Sequence, residues 1–399
     1  MNPSASGWID KFGHLVKDNL ETYSDFRDLY GGLKKTGFVY GINVKVPRFI
    51  TPEHRLSEDE IAKINLLTSL YFTFKQETEN SDFDAFLESI LKFYELLEVS
   101  GLTFLSKLFA GNKTSAKLEK LIDSRVYLED NMLSKTFNSI ITNSLLFIDV
   151  LTYKYHLTHE SGTRQHAQLL EYLTINTTFH ALNSKEINKK DERLAQLFEA
   201  SLTFVDFEKN AFDGSFRKKL IANNSEWENR YFLDIACLTV WEDKTFEYQE
   251  SEFIHGIGRD LGIEEKSIVR ALEEITAFFA KNSEVVPFLK DNNLAVQFYE
   301  SMAKVVDKLI SRNSKRLKKE LLESKELVAL LTKSTIKDLD EEEKKKVQNQ
   351  LIDIFKSIPS LAIFILPGGA VLLPIFIKLI PKLLPSSFDD NRVEKSKEK

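Results

Sequence analysis

Apolar residues recur along most of this chain at spacings of three and four, the period of a helix with one buried face. Trp8, Phe12, Leu15, Val16 and Leu20 open the pattern, and Gly31-Gly32 interrupts it. Ser57 followed by Glu60 has the form of a capping box, and Ile61, Ile64, Leu67, Tyr71 and Phe74 make the stripe of the helix it starts. The same rhythm predicts helices over 86–97, 102–109, 116–131, 133–155, 164–182 and 191–204. Only 38–49 reads differently. Ile42, Val44 and Val46 alternate with polar residues up to Pro47. One such stretch makes no sheet, so it is expected to lie as an extended arm on the helices.

Beyond a basic connector at 212–224, three compact helices are predicted over 230–241, 249–261 and 266–281, with Gly262 as the terminator of the second. A long helix is expected from about Leu294 to Leu331, and a last charged one from Asp340, where Glu343 completes a second capping box. Val347, Leu351, Ile354, Phe355 and Ile358 line its apolar face and lead into the most unusual stretch of the sequence.

From Ser357 to Ile377 there are 21 residues without a charge, about the length that crosses a bilayer as a helix. Five of the nine prolines lie in the last 41 residues: Pro359, Pro367, Pro374, Pro381 and Pro385. Each removes a backbone donor and disfavours a straight helix. Gly368-Gly369 suits the tip of a hairpin, and Lys378 and Lys382 are placed to reach head groups. The expectation is a proline-kinked, membrane-associated segment; the alternative is a helical hairpin in a core. A chain ending near Lys356 is expected to stay soluble.

The tail resembles the LETM family of membrane proteins. The shared features are Pro359, Pro367, Leu372-Leu373-Pro374, Lys378, Pro381 and Leu384-Pro385-Ser386-Ser387-Phe388, with the charged helix before them. Where the family has an acidic residue, this chain has Ala370, and the sequence ends at Lys399, short of the family's large ribosome-binding helical domain. The resemblance implies a role at a lipid bilayer, in ion homeostasis or in envelope and biofilm organisation. A cation/proton antiporter component, a ribosome-associated protein and a helical interaction scaffold are the alternatives. A protein partner or a homo-oligomer is also compatible with it.

A second resemblance covers 230–282, which is similar to the TerB-like helical module. Asp243 in an acidic turn and Glu250 at the next helix start hold that module's acidic positions, with Lys244 where it has glycine. Two carboxylates there suit a divalent cation, a hard ion that takes oxygen ligands; capping and solvation are the plain alternative.

Composition narrows the classes further. Hydrophobic content of 43% and 30 phenylalanines suit a large core, and 15 glycines in 399 residues suit few turns. Net charge of −6 gives no general attraction to DNA. The lone Cys237 fits a reducing compartment and core packing. The first residues lack an apolar core, so no signal peptide is expected, and the bulk of the chain is expected in the cytoplasm. His156, His159 and His166 read as ordinary exposed loop histidines, and Arg312, Lys315, Arg316, Lys318 and Lys319 as a solvated basic face. No Walker loop, G-x-S-x-G or C-x-x-C occurs, so no catalytic residue is expected.

The reading is therefore an all-α multi-helix bundle without enzymatic activity. It comprises a helical domain at 1–211, the TerB-like module at 225–286, a helical connector at 287–356, the hydrophobic segment at 357–388 and a charged end at 389–399.

Overall fold

The computed structural model describes residues 1–97, 113–126, 144–184, 196, 199–200, 215–241, 248–282, 294–334, 337, 339–358, 361 and 373–380. Among these the regular structure is helical and contains no strand. The helices are α1 (Trp8–Lys17), α2 (Phe26–Thr36), α3 (Glu58–Thr78), α4 (Phe83–Leu97), α5 (Thr114–Arg125), α6 (Leu146–Thr158) and α7 (Thr163–Asn183). There follow α8 (Ser215–Ile221), α9 (Glu226–Val240), α10 (Tyr248–Asp260) and α11 (Glu265–Asn282). The C-terminal part holds α12 (Leu294–Glu323), α13 (Lys325–Ser334), α14 (Glu341–Ser357) and α15 (Leu373–Leu379).

Helices α3, α6, α7 and α9 form the centre, packed in that order. They carry residues buried on several sides, such as Leu66, Leu67, Leu70 and Tyr71 on α3 and Tyr231 to Val240 on α9. A helix apolar all round belongs inside a core rather than on its surface. Helix α9 also packs against α10 and α11, so one central helix serves both the N-terminal helices and the three-helix group. Asn229 fastens that group, donating to the carbonyls of Asn223 and Leu261 at 3.0 Å each.

The outer elements are pinned by specific polar groups. Helix α1 has no side-chain cap at Gly7. Instead Glu119 of α5 accepts from the Gly7 and Ile9 N–H groups at 2.8 and 3.3 Å, satisfying donors that a helix start leaves open. Helix α2 runs straight through Gly31-Gly32, contrary to the expected interruption, because Phe26, Leu29, Tyr30 and Leu33 bury its apolar stripe. That burial, about 1.5–3 kcal/mol per large side chain, outweighs the roughly 1 kcal/mol a mid-helix glycine costs.

Gly37 ends α2 with φ +86°. A Cβ there would lie 1.8 Å from the Ile42 carbonyl oxygen, so the turn admits only glycine. The following residues form a short 3-10 turn, Phe38–Tyr40, and then the extended arm. Val44 N–H donates to Thr36 O, and Asn65 on α3 donates to Asn43 Oδ1 and Lys45 O.

Two charged networks lie inside this core. Arg125 makes a two-pronged contact with Asp149, at 2.7 and 2.9 Å, and Tyr94 OH donates to the same carboxylate at 2.8 Å. Burial works against the Arg125 charge, but Asp149 more than offsets it and holds the guanidinium protonated. Asp234 on α9 likewise accepts from Tyr30 OH at 2.7 Å and Lys34 Nζ at 2.8 Å. Cys237, one turn on, is fully buried, and burial pushes its thiol well up, so it packs rather than reacts.

Candidate functional site

The described part of the segment singled out by its prolines lies in the unit formed by α12 to α15. Val306, Leu309, Ile310, Leu317 and Leu321 are the buried stripe of α12, and α15 packs on that helix. The expected long helix ends at Glu323 instead of continuing to Leu331. Ser324 N–H bonds Leu321 O, and the Ser324 hydroxyl accepts from Leu327 N–H at 3.3 Å, so one serine closes α12 and caps α13.

Helix α14 starts at the predicted box. Asp340 Oδ1 accepts from Glu343 N–H at 2.9 Å, and Glu343 Oε2 accepts from Asp340 N–H at 3.1 Å. Its Val347, Leu351, Ile354 and Phe355 are buried, as are Leu327, Val328 and Leu331 of α13, which packs beside it. Ion pairs tie the two helices: Lys333 with Glu343, and Lys346 with Glu326 at 3.4 Å. The Lys333 bond and the Asp340 N–H hold the Glu343 carboxyl below its ordinary value.

The described part of the apolar run folds onto this frame. Leu373, Pro374, Ile375, Phe376 and Ile380 are buried, and Phe376 meets Phe355 edge to face at 5.0 Å between ring centres. Pro374 stands at the second position of α15, where a helix has no intrahelical use for the missing N–H. Lys378 is exposed. Pro359, Pro367, Gly368, Gly369, Pro381 and Pro385 lie outside the described residues. Among the described residues no helix is long and apolar enough to cross a membrane, so the transmembrane helix expected from the uncharged run is not found there. Within that run α15 buries Leu373, Pro374, Ile375 and Phe376.

Of the proposed cation ligands, Asp243 lies outside the described residues. Glu250 falls in α10, but its side chain is outside what the structure describes. Among the described residues no group of three or more His, Cys, Asp or Glu side chains is placed to hold a metal ion. The three helices expected around that motif are present. Gly262 terminates α10 with φ +66°, and Ile263 N–H returns to Gly258 O at 2.9 Å.

The histidines differ from the expectation of an ordinary exposed loop. His156 is half-buried and bonds Thr163 Oγ1 at 3.1 Å. His166 meets Glu228 at 2.7 Å, and the Tyr155 ring is stacked between His159 and His166 at 3.9 Å on each side. The cause is the turn at Gly162, φ +83°, which folds α7 back along α6 and brings residues eleven apart together. On α12, Lys315, Arg316, Lys318 and Lys319 are exposed and flank the buried Leu317.

No curated protein and no solved structure matches the chain. Residues 339–399 match the family model described as LETM1-like, RBD. The match begins one residue before the α14 cap and takes in the whole proline-spaced run, so the similarity to the LETM family lies in this C-terminal segment.

Proposed function

We propose that this chain is a non-enzymatic, LETM-related protein that works at a membrane surface, with its bulk on the cytoplasmic side. One observation carries the reading. The LETM1-like match covers 339–399, the region that holds the 21-residue uncharged run. An uncharged apolar run of that length favours a lipid environment. The folding of α15 onto α12 and Phe355 supports attachment through a folded unit rather than through a straight span. A part in ion homeostasis or envelope organisation follows from the family. Cation binding by Asp243 and Glu250 is a separate proposal that rests on the TerB-like resemblance, and a stabilising effect of Ca²⁺ or Mg²⁺ on the chain, lost in Asp243→Asn, would support it.

The test is fractionation of cells expressing the full chain. The protein should pellet with membranes and resist a high-salt wash, because apolar attachment is insensitive to screening. Recovery in the supernatant without detergent contradicts the reading.

A second reading is favoured by the family description: RBD denotes a ribosome-binding domain, and its model matches at 339–399, where the sequence was expected to stop short of one. The exposed Lys315, Arg316, Lys318 and Lys319 suit RNA phosphate. Co-sedimentation with ribosomes that fades steeply with salt, and is lost when these four residues become glutamine, supports it. No co-sedimentation at low salt removes it.

A further inference from the structure

Between α2, α9 and α11 lies a cleft of about 220 Å³. Its floor is Tyr30, Leu233, Asp234 and Ala271, all buried. Its charges are lopsided. Four cations line it, Arg27, Lys34, Arg230 and Arg270, against Asp234 and Glu274. Lys34 is engaged by both of those acids, at 2.8 and 2.6 Å. Arg27 and Arg230 share one carboxylate, Glu226, at 3.6 and 3.1 Å. Arg270 is exposed and, among the described residues, has no carboxylate partner. Three acids against four cations leave a positive cleft on a chain whose net charge is −6.

The apolar wall is equally distinct. Trp227 lines the cleft half-buried, with Arg230 5.3 Å from its ring centre, so an arginine is already held where an anion on the indole would meet it. Gly31 lines the same space. It sits in the interior of α2 with ordinary helical backbone, and a Cβ added there meets nothing within 4 Å. Neither backbone angle nor crowding requires that glycine, yet it costs α2 roughly 0.5–1 kcal/mol against alanine. Its effect is to keep the cleft open beside Tyr30 and Lys34.

We propose that this cleft binds a small organic anion, a carboxylate or phosphate ester whose apolar part lies against Trp227 and whose charge meets Arg270 and Arg230. A cation is disfavoured by the surplus positive charge. A bare inorganic ion uses the arginines but not the indole or the space at Gly31.

The experiment titrates benzoate, phenyl phosphate and inorganic phosphate into the full chain while following tryptophan fluorescence. Trp8 and Trp241 are 3% and 1% exposed, so Trp227 is the reporting ring, as Trp227→Phe verifies. Saturable binding of benzoate or phenyl phosphate is expected, tighter than that of inorganic phosphate. Arg270→Gln should weaken it roughly tenfold, and Gly31→Leu, which fills the cleft, should abolish it. Arg270 is exposed, so its variant keeps the fold and decides the matter even if Gly31→Leu does not fold. No saturation with any of the three probes overturns the proposal, as does unchanged affinity in a folded form of either variant.

Discussion

Asp149 and Asp234 each stand as the single charge in an otherwise apolar run, LFIDVLTY and YFLDIACLTV. Such a charge survives burial only with a partner, and each has one. The need for a partner was legible in the sequence. Its identity was not, because Arg125 and Lys34 lie 24 and 200 residues away along the chain. Asp149→Asn takes the two-pronged carboxylate from the buried Arg125 guanidinium and leaves Glu171 as its remaining counter-charge. Loss of about 3–5 kcal/mol is expected in denaturant unfolding. His180 gives a pH signature. Burial, with Arg217 nearby, lowers its pKa, so the folded state refuses a proton that the unfolded chain takes near the ordinary value of about 6.5. Its stability contribution is whole above that pH and is lost as pH falls below it. The ring stacks on Phe216 at 4.5 Å, so His180→Phe keeps the contact. The drop in Tm between about pH 7 and about pH 5 should be smaller in that variant than in wild type.

Helices were read where local chemistry decides them. Both capping boxes, at Ser57 and Asp340, form as their spacing predicts. Asp340→Ala should cost about 1 kcal/mol in unfolding free energy, because α14 loses the acceptor for the Glu343 N–H. Element ends set by tertiary contacts were misread. Gly31-Gly32 does not stop α2, whose buried stripe carries the helix through, whereas Ser324 divides a pattern that periodicity alone extends to Leu331. Lys346 pairs with Glu326 across helices because α13 and α14 lie side by side.

The all-helical class of the described residues followed from the period of the apolar positions, and the arm expected over 38–49 from its alternation ended by Pro47, except that Phe38–Tyr40 forms a 3-10 turn. The tail was harder, because an uncharged run reads alike whether it faces lipid or protein. In the fold, α15 covers the buried stripe of α12, and Phe376 covers Phe355. This changes the expectation for a chain ending near Lys356. Removing α15 uncovers apolar surface on α12 and α14, so that chain should melt at lower temperature than the full chain and aggregate on purification. An unchanged melting temperature would show that α15 adds nothing to the unit. The similarity of the C-terminal segment to the LETM family was readable from the proline spacing; the cleft at Trp227 was not, since its residues come from three helices far apart in sequence.

The central claim is that the uncharged run holds the protein to a membrane, and vesicle flotation tests it most directly. The full chain and a Phe364→Glu, Ile365→Glu variant would be floated on lipid vesicles in high salt, with circular dichroism confirming equal helix content. The account predicts that wild type rises with the vesicles and the variant stays at the bottom, since two carboxylates make burial of that run in hydrocarbon costly. Wild type remaining at the bottom, or the variant floating equally well, would contradict it.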